Sequence, residues 1–431
     1  MMENQTLLQQ QQKAIIVGVQ LQGQTDFAYS MQELSSLASA CFIEVVDELS
    51  QKASRINPSH YIGTGKIDEL RALLHGHEAD VVIFNDELSP SQIRNLEAEL
   101  ECTVIDRTIL ILDIFAERAK TREAQLQVEV ARLQYMLPRL VGLRASLGRQ
   151  GGGSGLKNRG AGETKLELDR RRIEERITAL QAELEKLVAR RQIQRKQRKK
   201  NEVPVVCLVG YTNTGKSSMM NALIEKFHPE SDKFVFAQDM LFATLETSVR
   251  SIELPDNKSF LLTDTVGFVS QLPHHLVKAF RSTLEEVTEA DLLVHVVDYA
   301  HEDYEQLVTV TNDTLKSLGA LDIPMIYAYN KCDLTDHPFP ETVDGNIYLS
   351  VRQSAGLDEL IELVRGQIFN DYVQCELLIP YTQGRLVAYF NEHAHVQSTA
   401  YEEEGTRLVM ECRRSDFDRY KDEVTVLQPS S

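Results

Sequence analysis

The feature that most restricts this chain is an apolar, β-branched run, Pro204–Val209, that passes directly into Gly210-Tyr-Thr-Asn-Thr-Gly-Lys-Ser217 and then into the helix formers of Ser218–Lys226. A G-x-x-x-x-G-K-S pattern placed between a buried strand and a helix predicts a strand–loop–helix unit built to hold a phosphate. Glycines at 210 and 215 let the backbone of Tyr211, Thr212, Asn213, Thr214 and Lys216 curl its N–H groups around that phosphate. The helix entered at Ser217 and Ser218 points its positive end at the same place. Lys216 supplies charge for the β and γ oxygens, and Ser217 a hydroxyl for Mg²⁺.

Two later strands add what a phosphate loop lacks. Phe260–Thr263 ends in Asp264-Thr-Val-Gly267. Asp264 can reach Mg²⁺ through a water, and Gly267 can bring its N–H to a terminal phosphate without steric cost. Pro324–Tyr329 ends in Asn330-Lys331-Cys332-Asp333. A carboxylate at Asp333 can accept from N1–H and the 2-amino group of guanine, a donor pair absent from adenine, so the expected ligand is GTP or GDP. D-x-x-G and N-K-x-D are each read as turns when they stand alone; in this order behind a phosphate loop they define a guanine-nucleotide site. Lys216, Thr244 and Gly267 are the expected catalytic positions, and Ser217, Thr244 and Asp264 the expected metal positions. Thr244 lies in the Asp239–Thr247 stretch, where Thr247 is its rival as the γ-phosphate sensor. Phe268 follows Gly267, where Ras-like enzymes carry a water-orienting Gln. A phenyl ring cannot orient water, so slow intrinsic hydrolysis and a catalytic group from a partner or another loop are expected; a packing role for the ring is compatible with both. Asn213 resembles the phosphate-loop Asn of potassium-dependent relatives.

The rest of the chain predicts an α/β fold in four parts. Residues 1–120 alternate short apolar strands (Ala14–Gln20, Cys41–Val46, Asp80–Asn85, Cys102–Asp106) with helices (Met31–Ala40, Ile67–His75, Pro90–Leu100, Thr108–Ala119), which implies a parallel sheet. Residues 121–200 predict a long helical hairpin: Thr121–Leu147, with Pro138 expected to kink or interrupt it, a Gly-rich loop Gly148–Gly162, and Glu163–Lys200. Residues 201–372 form the nucleotide domain. Residues 373–431 form a small α+β domain with strands at Leu377–Pro380 and Arg407–Glu411, a helix at Arg385–His393 and a frayed end.

Net charge is −18, which argues against indiscriminate adhesion to nucleic acid. Yet residues 139–200 hold 18 Lys or Arg against 7 Asp or Glu, a local +11. That asymmetry predicts one surface for a polyanion, and a Gly-rich loop in a basic hairpin suits an RNA groove. Arg149, Lys157, Arg159 and Lys165 are the candidate RNA contacts; the basic run Arg195–Lys200 reads equally as an RNA contact or a solvated linker. Six scattered cysteines, no apolar run long enough to span a bilayer and a polar N-terminus point to the cytoplasm; a monomer is expected, though no motif fixes the oligomeric state.

In order, these motifs resemble those of the TRAFAC-type GTPases. The resemblance implies a Ser-Ala loop near the base; Ser350-Val351 stands in that place, with a backbone N–H contact to the guanine O6 expected to survive. Further stretches, His60-Tyr-Ile-Gly-Thr-Gly-Lys66, Arg159-Gly-Ala-Gly-Glu-Thr164, Leu241-Phe-Ala-Thr244-Leu and Asp264-Thr-Val-Gly-Phe268, resemble the HflX family of ribosome-associated GTPases across the whole chain. Ala161 stands where that family more often has Pro. Gly63 and Gly65 are read as a structural turn, since a full second phosphate loop is missing. The resemblance implies a GTPase that uses Mg²⁺, binds the large ribosomal subunit and its RNA in the GTP state, and helps split or rescue ribosomes under stress, its hairpin loop reaching toward the peptidyl transferase centre. The alternatives are a GTP-dependent RNA-binding scaffold and an RNA-processing GTPase.

Overall fold

The expected elements are present in the computed structural model, several with shifted boundaries (the first helix begins at Phe27 rather than Met31); it describes residues 12–147, 159–200, 203–228, 241–242, 247–256, 258–270 and 286–428. Two compact units emerge: Met1–Arg195 with Gln238–Glu246 and Val269–Thr283, and Lys196–Ala237 with Thr247–Phe268 and Leu284–Ser431.

In the first unit, β1 (Lys13–Leu21), β2 (Glu44–Ala53), β3 (Val81–Phe84) and β4 (Thr103–Asp106) form a parallel sheet in the order β2-β1-β3-β4. Helices α1 (Phe27–Ala40), α2 (Thr64–His77), α3 (Pro90–Leu100) and α4 (Arg107–Arg118) alternate with the strands. The second strand begins later than the expected Cys41–Val46. Cys41 caps α1 and Phe42 turns at φ +58, so pairing starts only at Glu44. As an edge strand β2 then tolerates Asp47, Glu48 and Lys52, which conceal it from an apolar pattern. Gly63 caps the start of α2, and its N–H donates to Gln51 Oε1 at 2.9 Å.

Helices α5 (Arg122–Leu147) and α6 (Arg159–Lys200) follow. Leu126 and Val130 of α5 pack on Ile177 and Leu180 of α6, and Arg122–Glu183 and Glu129–Arg176 ion pairs fix an antiparallel register. Pro138 does not interrupt α5. Tyr135 and Arg139, on either side of it, both bind the buried carboxylate of Asp106, which ties the two turns to one anchor. The second arm starts at Arg159, four residues ahead of the expected Glu163, and takes Gly160 and Gly162 into the helix.

The second unit is built on a seven-stranded sheet in the order β10-β11-β9-β8-β5-β7-β6. Its strands are β5 (Val205–Val209), β6 (Ser248–Glu253), β7 (Ser259–Asp264), β8 (Leu292–Asp298), β9 (Met325–Asn330), β10 (Glu341–Val343) and β11 (Asn346–Tyr348); its helices include α7 (Lys216–Phe227), α8 (Tyr304–Leu318) and α9 (Leu357–Ile368). Val206 and Leu208 of β5 pack with Met219, Met220 and Leu223 of α7 in the main core. Strands β7, β5, β8 and β9 run parallel, with Leu208 beside Asp264 and Asp298 beside Asn330. Register therefore sets Asp264, Asp298 and Asn330 along the carboxyl edge that Gly210 leaves, where open α/β sheets receive ligands.

The chain ends in an antiparallel sheet ordered β13-β14-β12-β15: β12 (Tyr372–Pro380), β13 (His395–Glu402), β14 (Gly405–Arg413) and β15 (Thr425–Gln428), with α10 (Gly384–His393) and α11 (Arg414–Tyr420). The expected strands and helix lie in β12, β14 and α10. Strand β13, whose side chains are largely exposed, carries no apolar alternation and is invisible in the pattern. No helix among the described residues is long and apolar enough to cross a membrane.

Candidate nucleotide-binding site

The loop leaving β5 owes its shape to its glycines. Gly210 takes φ +144, and a Cβ there would stand 2.3 Å from the Val296 carbonyl oxygen. Gly215 takes φ +97, and a Cβ there would stand 2.4 Å from the Asn330 amide nitrogen. Asn213 is also left-handed, at φ +63. Gly215 is the N-cap of α7 and offers no side-chain cap, which leaves the helix's first N–H groups to the loop and its ligand.

Lys216 is only 6% exposed. Its Nζ donates to the carbonyls of Tyr211 at 2.6 Å and Gly210 at 3.1 Å. Burial pushes the ammonium down to about 8, while the negative charge of Asp264 pulls it up. Ser217, one residue on, donates to Asp264 Oδ2 at 2.6 Å, and Asp264 is fully buried. A hydroxyl and a carboxylate in contact make a hard-oxygen donor pair of the kind Mg²⁺ takes.

Gly267 lies directly on the phosphate loop: a Cβ there would come within 2.8 Å of Thr212 Cα and 3.0 Å of Lys216 Nζ. The next residue is stitched to the loop through its backbone. Thr212 N–H donates to Phe268 O at 2.7 Å, and Phe268 N–H donates to Gly210 O at 3.1 Å. The Phe268 ring is 3% exposed, so it is a packing residue as well as a departure from Gln.

On the base side, one amide joins two loops. Asn330 Nδ2 donates to the Thr214 carbonyl at 2.9 Å, and its Oδ1 accepts from Val351 N–H at 3.0 Å. Ser350 Oγ donates to Asp333 Oδ1 at 2.6 Å, fixing the carboxylate that faces the base in the sequence reading. Lys331, at φ +66, pairs with Asp298 at 2.7 Å. Beside these groups runs a ladder of rings: His337 stacks on Tyr348 at 4.0 Å, Tyr348 on Tyr329 at 4.7 Å and Tyr329 on Tyr327 at 6.3 Å, with Tyr299 edge-on to Tyr329 and Tyr348 and tilted against Tyr304. Behind the loop, His295 of β8 is buried; burial first and Lys216 second push its imidazole down to about 3, so it is neutral.

The comparisons with known proteins cover the same ground. Residues 28–116 match a family described as GTP-binding GTPase N-terminal, 118–198 one described as GTP-binding GTPase Middle Region, and 205–331 one described as 50S ribosome-binding GTPase. The GTPase HflX of Caldanaerobacter subterraneus subsp. tengcongensis is 46% identical over 382 residues, 89% of this chain and 87% of that protein. The GTPase HflX of Escherichia coli is 38% identical over 401 residues, 92% of each. The chain belongs to the HflX family of GTPases. Among solved structures, a GTP-binding protein of Sulfolobus solfataricus in complex with GDP aligns with a TM-score of 0.44 and 22% identity, over 83% of this chain and 99% of that one.

As an HflX-family protein the chain is a GTP hydrolase. Of the positions singled out in the sequence, Gly210–Ser218, Asp264, Gly267, Asn330, Lys331, Asp333, Ser350 and Val351 lie along one edge of one sheet. Thr244, Arg149 and Lys157 fall outside the described residues, and Arg159 and Lys165 lie in the first turns of α6. Sequence reasoning missed Asp298 and His295. Asp298 closes an apolar run, Leu292–Val297, just as Asp264 closes its own, and that repeat could have revealed it. His295 sits inside such a run, where a histidine looks like any core residue.

Proposed function

We propose that this HflX-family GTPase binds the large ribosomal subunit and its RNA in the GTP state and helps split or rescue stalled ribosomes in the cytoplasm under stress. The observation that carries the nucleotide half is the bridge made by Asn330, which joins the phosphate loop to the Ser350–Val351 loop and so makes phosphate and base recognition one assembly. The ribosomal half is supported by the 50S ribosome-binding description of the matched family and by the +11 charge of residues 139–200. Arg149, Lys157, Arg159 and Lys165 are the proposed RNA contacts.

In this reading the backbone N–H groups of residues 211–216 hold the phosphates, Lys216 neutralises their charge, and Asp333 reads the guanine edge. Ser217 and Asp264 would hold Mg²⁺, with Thr244 as a further ligand; the ion, when bound, offsets charge on the phosphate oxygens. Gly267 N–H meets the terminal phosphate, which requires its backbone to lift from Thr212. Breaking the Thr212–Phe268 and Phe268–Gly210 hydrogen bonds is the cost of that movement, and the gain is an ordered GTP state with a different surface for the ribosome. With Phe268 buried, the group that orients the attacking water comes from elsewhere, and the bound ribosome supplies or places it.

GTP hydrolysis by the purified protein, alone and with isolated large ribosomal subunits, tests the proposal, with Lys216→Ala as control. Stimulation that the control lacks is expected. Equal ribosome affinity in the presence of GDP and a non-hydrolysable GTP analogue would sink the switch, since a ligand without differential affinity shifts no equilibrium.

A further inference from the structure

At the end of the β6–β7 hairpin opposite Asp264, the turn buries a lysine. Lys258 is 4% exposed, and its ammonium lies 2.8 Å from Glu411 of β14 and 3.7 Å from Asp256. It also faces the rings of Tyr372, 4.6 Å away at the start of β12, and Phe369, 5.4 Å away. Asp256 is held in turn by Arg365 of α9 at 2.6 Å. Tyr372 packs against the main core of the nucleotide domain, and its hydroxyl accepts from Arg413 of β14 at 3.1 Å. One cation thus fastens the tip of the β6–β7 hairpin to two strands of the C-terminal sheet.

The hairpin's other end is the nucleotide site. Its ladder runs from Glu253 opposite Ser259 at the tip to Ser248 opposite Asp264 at the base, and Asp264 accepts from Ser217. Strand β6 also begins directly after Thr247, the end of the segment that the sequence marks as a switch. Strand β7 is laddered to β6 on one side and to β5 on the other, so a change in what Asp264 holds alters the stability of the ladder that ends at the tip. A cation with directional partners fixes one register of the tip against the sheet, where an apolar contact would allow several.

We propose that the hairpin carries the nucleotide state to the C-terminal domain, and that Lys258 is the positioning residue that makes the connection, acting through β7 on Asp264. The inference rests on the guanine-nucleotide reading above. The domain formed by residues 373–431 is then a responding surface, which presents a different stability or orientation to a partner in each nucleotide state.

Hydrogen–deuterium exchange on the full chain, loaded with GDP or with a non-hydrolysable GTP analogue, tests this. Segments 405–413 and 425–428 should differ between the two states by roughly twofold or more in exchange rate, as expected for coupled sites. In Lys258→Met that difference should vanish while GDP affinity stays within about twofold, and Lys258→Arg should restore it. A merely structural lysine would instead raise exchange equally in both states and leave the difference intact. Should Lys258→Met fail to fold, Glu411→Gln, which keeps the volume and removes the charge, must give the same loss. Identical exchange in the two states of the parent protein, or a difference that survives these variants, overturns the proposal. Failure to bind either nucleotide in a direct titration would instead remove the guanine-nucleotide reading itself.

Discussion

Two lysines are buried almost equally deeply in the second unit and are treated in opposite ways. Lys216 rests on the backbone carbonyls of Gly210 and Tyr211, and burial brings its ammonium down to about 8. Lys258 is given the carboxylate of Glu411 and the faces of two aromatic rings. Carbonyl dipoles hold a buried cation in place without neutralising it, so Lys216 is left with charge to offer the phosphate proposed for this loop. A carboxylate partner neutralises the cation and commits it to holding one element of the fold to another. Burial alone does not tell a charge kept for a ligand from one kept for a contact within the fold; the identity of the partner separates these two lysines.

The sharpest way to break this contrast is by activity. Lys216→Met should lower GTP turnover on the order of 10³-fold, because a preorganised charge at the phosphates is lost; turnover near the parent level would show that the lysine's position is incidental. Stability should sort the pair the other way. Lys258→Met leaves Glu411 partly buried without its cation and should cost about 3 kcal/mol in denaturant unfolding. Lys216→Met removes a cation whose charged form the fold disfavours, and should gain roughly 1 kcal/mol. If both variants lose stability alike, the distinction drawn here fails.

Specificity offers a smaller test at the other end of the site. Asp333→Asn replaces a pure acceptor with a donor–acceptor amide, so GTP affinity should fall on the order of 10²-fold while a purine with a carbonyl at C2 gains. Competition binding with guanine and xanthine nucleotides reads both changes.

The smallest effect is in pH. Lys216 has an ordinary value of 10.5 and about 8 in the folded protein. Below pH 8 it is protonated in both states and the burial penalty is fully present. Between those values the unfolded chain holds the extra proton, so the nucleotide-free protein gains stability as pH rises. A bound phosphate restores the proton, so GDP affinity should decline above pH 8 by at most about tenfold per pH unit. Calorimetry in buffers of different ionisation heat should detect proton uptake on binding in that range; none would identify another group as the one perturbed.

The uneven legibility of the two lysines has a physical origin. The phosphate loop is local: eight consecutive residues, Gly210–Ser217, carry both its backbone geometry and its chemistry, so the pattern could be read in one pass. The strands on either side were legible because parallel strands buried on both faces read as unbroken apolar runs. Lys258 stands beside Asp256 in a short polar turn, and only its distant partner, Glu411 in β14, makes it a core residue. Asn330 was found as part of a base-reading motif, but its grip on Thr214, 116 residues away, belongs to the fold and not to any spacing. The continuity of α5 through Pro138 is likewise a tertiary effect, since Asp106, more than twenty residues back, secures both neighbours of the proline. Local propensity could only warn of a break there.

The ring ladder beside Asn330 and Lys331 gives the molecule an optical property. The chain contains no tryptophan, and of its 14 tyrosines, Tyr299, Tyr304, Tyr327, Tyr329 and Tyr348 form one contiguous array. With no indole to absorb or drain excitation, ultraviolet emission and near-ultraviolet dichroism come largely from phenols. Rings stacked at 4.7 Å couple their transitions, so the array is expected to contribute to the dichroic signal. The array adjoins the proposed base-reading loop, Tyr299 N–H donating to the Asn330 carbonyl at 2.9 Å, so nucleotide binding is expected to change its dichroism with no dye attached, which a GDP titration would read.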